Sequence, residues 1–463
     1  MSAAIPVTHV ITGLVLGGAE TFLLRLLGAL DRARFPARVI ALQSGGVLAD
    51  RVRALGVPVE ELGVRGAFGA ARAFARLRRL LAGETAVVQT WMYHADLLGG
   101  LAARFGGRAP VVWNVRQTTL TPELKKASTL RIARWCARLS RTVPRAVVCN
   151  SAAALEAHAA FGYARERLTV IPNGFDTAVF RPDPAARAAV RAELGVPPGA
   201  KLVGLVARFD PHKDHETFFA AAALLAARDP SVHFLLCGDG IDETNPALAE
   251  AIRQGGLESR CRLLGRRDDT PRLNAALDVA TLTSVSEGFP NVVGEAMACG
   301  VPCVVTRAGD AAVLVGDTGR VVEPRDPAAL AAAWAAELAA PPDERARRGA
   351  AARARIENGY SLPPWRNGTR TFTRGWRGAR REPLRGQDGY PGRAFWKAGD
   401  GDRGRRARGG GGLPRDRRGD RASAAGASAR RGRGGGGGVR PRHPGHVRGG
   451  VEDVQRNKTG ARR

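Results

Sequence analysis

The sequence predicts an α/β chain of two parallel-sheet halves, each with helices on both faces of its sheet, followed by a C-terminal tail of different character. Three observations lead there. Short β-branched runs alternate with Ala-, Leu- and Arg-rich stretches of helical length from residue 5 to residue 362. Such alternation implies parallel strands joined by crossover helices. The pattern also starts twice, once at residues 7–18 and again at 202–214, with a Pro-containing connection at 180–184 between them. Beyond residue 362 the aliphatic residues thin out and Gly, Arg and Pro take over.

In the first half, residues 7–11 read as a strand, and Gly13 to Glu20 as a glycine turn that opens an apolar helix at 21–27. Gly17 and Gly18 let backbone approach a ligand where a side chain would clash. The turn is not the G-x-G-x-x-G dinucleotide fingerprint, and a glycine turn without a ligand fits it as well. Residues 38–42, 86–90, 111–115 and 146–150 are further short apolar runs. Ligands of parallel sheets bind beyond the carboxyl ends of the strands. Residues 91–94, 116–118 and 150–151 are therefore expected to line one crevice. His94 is a candidate there, because imidazole can hydrogen-bond a sugar hydroxyl near neutral pH. Arg116 is a candidate for a phosphate or carboxylate on the acceptor side. The plainer readings are a hydrogen-bonded structural histidine and a surface arginine. Residues 168–176 close this half.

The second half opens with a strand at 202–207. Arg208 and Lys213 follow it, five positions apart before a helix, and suit a diphosphate clamp: Arg binds phosphate oxygens bidentately and Lys acts as a point charge. Further strands are expected at 233–237, 262–264, 278–284, 303–306 and 319–322. The most informative stretch is 286–302. It sets Glu287 in a Gly/Pro loop with Gly288, Phe289, Pro290 and Asn291, and sets Glu295 on the helix that follows. A helix N-terminus is a ready anion site. Two carboxylates flanking it could grip sugar hydroxyls beside a phosphate.

These segments together resemble the retaining glycosyltransferases of family 4, the group 1 glycosyltransferases. The resemblance rests on G-G-A-E at 17–20, V-I-P-N-G-F-D at 170–176, Arg208 with Lys213, and the E-x7-E segment, in that order. It covers about residues 7–362, and Ala207 stands where the family has Gly before the arginine. The resemblance implies the GT-B fold, two Rossmann-like domains facing a cleft, with an acceptor-side domain at 1–178 and a donor domain at 179–362. It implies a nucleotide-diphosphate sugar donor, UDP- or GDP-linked, and a polysaccharide or lipid-linked acceptor. Arg208 and Lys213 would hold the diphosphate, Glu287 the donor sugar, Glu295 the ribose, and Gly265 and Arg266 would lie near the base. Gly17 and Gly18 would face the donor phosphates. Glu287, His94, Arg208 and Lys213 are the expected catalytic set. No cofactor and no metal is implied, since cationic side chains do the work of a divalent clamp. Asp268-Asp269 lacks D-x-D spacing; Asp400-Gly401-Asp402 has it but lies in the tail.

Composition is consistent with this. A length of 463 residues suggests two or three domains, and 44% hydrophobic residues is ordinary for a chain with real cores. The six cysteines form no C-x-x-C pair and read as reduced and mostly buried. No signal peptide and no membrane span is visible, so a cytoplasmic protein is expected. The basic, partly amphipathic stretch 131–141, with Arg72, Arg76, Arg78 and Arg79, suggests a peripheral contact with anionic membrane; a solvated helix face fits equally.

The net charge of +28 is uneven. Residues after 360 carry 27 of the 71 Lys/Arg and 8 of the 43 Asp/Glu, so +19 belongs to the tail and +9 to the body. Residues 363–463 are expected to be disordered, being too poor in apolar surface to offset ordering entropy. An R/G-rich nucleic-acid arm is one reading of this tail. The favoured one is a one-base frame shift near 362–364, since an allowed shifted frame reads M-A-E-R-Y-A-D-V-Y-A, the helix the family carries there; genomic sequence across that point decides between them. The alternative functions are accordingly a nucleic-acid-binding protein acting through the tail, or a nucleotide-sugar epimerase on the same fold. Nucleic acid is not the expected partner.

Overall fold

The structure, a computed structural model, describes residues 4–64, 66–83, 86–107, 109–122 and 126–362. The tail expected at 363–463 lies outside the described residues. Both halves belong to one compact unit.

The first sheet comprises β1 (Val7–Ile11), β2 (Ala37–Ala41), β3 (Val59–Glu61), β4 (Val87–Trp91), β5 (Val111–Val115), β6 (Ala146–Cys149) and β7 (Leu168–Val170). Their spatial order is 3-2-1-4-5-6-7, and every pair is parallel. The second comprises β8 (Lys201–Val206), β9 (Val232–Cys237), β10 (Cys261–Leu263), β11 (Val279–Leu282), β12 (Cys303–Thr306) and β13 (Arg320–Val322). Their order is 10-9-8-11-12-13, again all parallel. Central strands such as β5 and β9 are buried along their whole length, as sheets covered on both faces require. The short edge strand β3, Val-Glu-Glu and half-buried, carries no apolar run and was not expected from the sequence.

The covering helices of the first half are α1 (Gly18–Ala29), α2 (Leu48–Ala54), α3 (Gly66–Leu80), α4 (Met92–Gly106), α5 (Ala127–Leu139) and α6 (Ala152–Phe161). Those of the second are α7 (Pro184–Glu193), α8 (His215–Ala226), α9 (Pro246–Gln254), α10 (Thr270–Ala276), α11 (Asn291–Ala298), α12 (Ala311–Val315), α13 (Pro327–Leu338) and α14 (Pro342–Gly359). Several start where a side-chain oxygen takes a free N–H: Ser151 for α6, Asp183 before Pro184 for α7, and Asp214 for α8. In each sheet the strand order reverses beside the first strand, between β1 and β4 and between β8 and β11. Loops leave these points in opposite directions and open a crevice at the carboxyl ends of the strands.

The halves meet around Phe175, which is 1% exposed. Its N–H donates to Tyr360 O at 2.8 Å and its carbonyl accepts from Leu362 N at 2.9 Å, so the segment after α14 is bound to the connection between the halves. The Phe175 ring stacks on Phe289 at 6.1 Å between centroids. It also lies against Gly294 of α11, where a Cβ would come within 2.0 to 2.6 Å of ring carbons. Only glycine permits that approach.

Polar contacts reinforce the junction. Arg25 of α1 donates to Glu295 Oε1 of α11 at 2.6 Å; the Arg25 side chain is 27% exposed and that of Glu295 7%. Asp310 accepts from the N–H groups of Ala152 at 2.8 Å and Ala153 at 3.0 Å, across the junction at the start of α6. All six cysteines are free and buried. Among the described residues no helix is long and apolar enough to cross a membrane.

Two predictions follow from burial. Arg25→Ala leaves the Glu295 carboxylate buried without its partner and should destabilise the chain by about 2 to 3 kcal/mol in urea unfolding. Adding Glu295→Gln should recover part of the loss; an unchanged midpoint for Arg25→Ala would contradict the assignment. Second, burial holds His9 neutral down to about 3, and His158 and His215 down to about 4. Free histidine protonates near 6.5, so below that value the unfolded chain takes up protons the native chain refuses. Stability is therefore complete above about pH 6.5 and is lost as pH falls toward the native values. Thermal melts between about pH 7 and pH 5.5 should show a loss of about 1 kcal/mol per buried histidine; a flat melting temperature over that window would exclude it.

Candidate active site

The loops leaving both crevices line a single cleft of about 410 Å³. From the first half it is lined by Gly18 and Glu20 at the start of α1, Met92 at the start of α4, residues 116–119 after β5, Asn150 after β6, and Asn173. From the second half it is lined by Arg208, His212 and Lys213 after β8 and by residues 286–292 after β11. The first turns of α1 and α11 thus stand on opposite walls, each adding the partial positive charge of a helix N-terminus.

Lys213 and Glu287 form the centre. Lys213 Nζ lies 2.5 Å from Glu287 Oε1, and Ser284 Oγ donates to the same oxygen at 2.7 Å. Backbone geometry presents both groups. Lys213 sits in a short 3-10 turn whose carbonyl accepts from Thr283 Oγ1 at 2.6 Å. Asp214, at φ 50°, then turns the chain into α8. Left-handed backbone is tolerated by Asp. Glu287 is carried on the backbone of Gly309, where φ is +54° and a Cβ would stand 2.3 Å from the Glu287 carbonyl. Arg208 is paired with Asp210 at 2.8 Å and is largely exposed.

The loop at 286–291 is fastened to the opposite wall. Thr118 Oγ1 donates to the Glu287 carbonyl at 2.6 Å, Thr119 Oγ1 meets Ser286 Oγ at 2.5 Å, and Asn173 Nδ2 donates to Asn291 Oδ1 at 2.5 Å. From the loop's own half, Asp310 N donates to Gly288 O at 3.2 Å. Glu20 folds back over Gly17, where a Cβ would meet its Oε2 at 2.4 Å, and burial raises its carboxyl above the ordinary value.

Of the residues singled out in the sequence, Gly18, Arg116, Arg208, Lys213, Glu287, Gly288, Phe289, Pro290 and Asn291 share this lining. Gly17, His94, Arg266 and Glu295 stand outside it. Gly17 is the cap residue of α1, immediately before the lining begins. The stretch 91–94 was expected to line the crevice, but β4 runs directly into α4. Trp91 and Tyr93 consequently point inward, to His9 Nδ1 at 3.2 Å and His158 Nε2 at 2.9 Å. Met92, at φ 69°, reaches the cleft instead. His94 is half-buried in the first turn of α4, and burial lowers its pKa. Arg266 lies 3.9 Å from Asp239 on the exposed rim of the second sheet. Glu295 is engaged by Arg25 behind the wall.

Thr119, Asn173, Ser286 and Asp310 were not singled out as site residues. Asn173 sat in a segment read as a connection and Ser286 at the head of the 286–302 stretch, while Thr119 and Asp310 carry no local signal; all four find partners more than 100 residues away. Among the described residues no three His, Cys, Asp or Glu side chains gather as a metal site.

Comparison with known proteins agrees with this arrangement half by half. Residues 16–179 match the family model for glycosyltransferase family 4, and residues 200–339 match that for group 1 glycosyl transferases. EpsF of Bacillus subtilis is 28% identical over 316 residues, covering 65% of this chain and 78% of EpsF. The D-inositol 3-phosphate glycosyltransferase of Corynebacterium efficiens is 34% identical over 183 residues, covering 38% of this chain and 42% of that protein. The matched region thus spans less than half the length of that relative. Anabaena HepE, solved in complex with UDP, superimposes with a TM-score of 0.71 at 26% identity, covering 80% of this chain and all of HepE. Sucrose-phosphate synthase of Thermosynechococcus elongatus, at 19% identity and a TM-score of 0.66, shares the fold. With each half matched to its own family model and the paired sheets laid out as in GT-B enzymes, this chain belongs to the group 1, family 4 glycosyltransferases.

Proposed function

We propose that the chain transfers a hexose from a nucleotide-diphosphate donor to a polysaccharide or lipid-linked acceptor, with retention at the anomeric carbon and without a metal ion. The observation that carries this reading is Lys213 at 2.5 Å from Glu287, beside Arg208, at the mouth of two helix N-termini. In this reading Arg208 and Lys213 take the charge that develops on the departing diphosphate, where preorganised cations act without reorganisation. Glu287, held by Ser284 and Lys213, orients the donor sugar, and the N–H groups of the 288–291 loop add to the anion site. The acceptor hydroxyl attacks from the face the diphosphate leaves, so no dedicated protein base is assigned. Glu295 serves the ribose once Arg25 releases it, Arg266 lies toward the base, Gly17 and Gly18 approach the phosphates, and His94 approaches the sugar. HepE was solved with UDP and with UDP-glucose, which supports a uridine over a guanosine donor. The domains at 1–178 and 179–362 are the acceptor and donor sides respectively.

A peripheral position on the inner face of the plasma membrane belongs to the same proposal. In α5, Arg131, Arg134 and Arg138 are exposed beside Trp135, which is 54% exposed, while Leu130, Ala133 and Cys136 face the core. The exposed arginines of α3 flank α4 from its other side, and Phe105 at the end of α4 is 67% exposed. Basic groups around exposed aromatics suit an anionic interface.

Calorimetric titration of the full chain with UDP and GDP tests the donor assignment. One nucleotide should bind, and Arg208→Ala should weaken it by about 10- to 100-fold, the worth of a charge-assisted contact. Binding of neither nucleotide, or binding indifferent to Arg208→Ala, would reject it. For the membrane, the full chain should float with phosphatidylserine vesicles at low salt and lose this with Arg131→Glu and Arg134→Glu together; no flotation at low salt removes that part.

A further inference from the structure

We propose that Arg116, with Asn150, forms an anion seat on the first-half wall of the cleft, shaped for a carboxylate or phosphate carried by the sugar acceptor. The proposal rests on the donor reading above and adds the chemical class of the second substrate.

Arg116 lies immediately after β5, at the strand end where a parallel sheet offers ligand contacts. Its guanidinium stands 4.2 Å from the centre of the Phe22 ring and 5.3 Å from that of Trp91. Nη2 donates to Asn173 Oδ1, and Nη1 is buried with no hydrogen-bond partner. The groups around this cation are therefore aromatic faces, a neutral amide and the Cys149 thiol, which burial keeps protonated. The other cations of the lining already hold carboxylates: Arg208 holds Asp210 and Lys213 holds Glu287. Burial pushes the Arg116 guanidinium down to about 9, still charged at neutral pH.

A buried donor without a partner costs free energy that ring faces only partly return. An arriving anion supplies what is missing, and the rings and Asn173 fix the fork in advance, so little is lost in ordering it. Asn150 lines the same wall, and its Oδ1 is also buried without a partner. An amide can turn either its oxygen or its N–H2 toward a ligand. Gly288 roofs the seat: a Cβ there would come within 3.2 Å of the Asn150 amide and 3.3 Å of the Arg116 carbonyl. Arg208 and Lys213 stand on the second-half wall, so the seat lies on the side left to the acceptor. A neutral hydroxyl could accept from Nη1 but would not offset the buried charge, so the site favours an anionic acceptor over a neutral one.

The experiment uses the full chain, UDP and inorganic phosphate, followed by calorimetry. Phosphate should bind the UDP-saturated chain, and Arg116→Gln should weaken it by about tenfold or more. UDP affinity should change by less than about threefold in the same variant. Arg116→Lys should recover part of the phosphate affinity, because it keeps the charge and loses the fork. The phosphate titration is repeated without UDP in an Arg208→Ala background, where the same loss is expected whether or not UDP binds. Failure of the donor reading thus shows in the UDP titration alone. A loss of UDP affinity in Arg116→Gln as large as in Arg208→Ala would make Arg116 a ligand of the donor diphosphate and overturn the proposal. Phosphate binding that is absent from the parent chain, or equal in Arg116→Gln, would overturn it as well.

Discussion

At the centre of the molecule one aromatic ring joins three segments far apart in sequence. Phe175 ends the first half, rests on Gly294 of α11 and Phe289 of the 286–291 loop, and pairs by its backbone with residues 360 and 362. Phe289 in turn packs against Tyr360 at 5.9 Å. The loop that bears Glu287 is therefore anchored by the same cluster that sets the two sheets against each other. Close-packed interiors do not deform gradually. A shift of the ring would move the Glu287 loop and the first-half wall together, which is why Thr118, Thr119 and Asn173 find their partners across the cleft.

Much of this was legible in the sequence, for definite reasons. Parallel strands buried on both faces read as short β-branched runs, and glycines mark places where backbone approaches backbone. Gly18, Lys213 and Glu287 lie in the loops that follow β1, β8 and β11, where such sheets bind ligands, and the charges of Lys213 and Glu287 with the family resemblance singled them out. What stayed hidden depended on partners distant in the chain. Nothing around Arg25 announces that it will engage Glu295, and nothing around Asp310 announces that it will reach α6. The 91–94 stretch misled because a loop was expected where β4 passes straight into α4, which sends alternate side chains into the core. The strand β3 has no apolar pattern because it is an edge, held by backbone pairing with β2 alone.

The cleft is charged differently on its two walls. On the second-half wall, cations and carboxylates are already matched, so a ligand there exchanges one ionic partner for another. On the first-half wall Arg116 rests on ring faces, and hydrogen bonding to it is incomplete. Exchange of ion pairs is nearly balanced in energy, whereas satisfying a buried donor is not. The two walls should therefore respond differently to salt, since partly buried charges are screened less than exposed ones such as Arg208.

Asp310 gives the junction a further property. The first two N–H groups of α6 end on a carboxylate that belongs to the other half of the chain. A helix normally brings its own cap, and Ser151 does serve Ala154 in that way. Slow hydrogen exchange at Ala152 and Ala153 would accordingly be a property of the closed cleft and not of α6. Any excursion that parts the halves releases both amides at once, so the start of this helix keeps a record of how often the cleft opens.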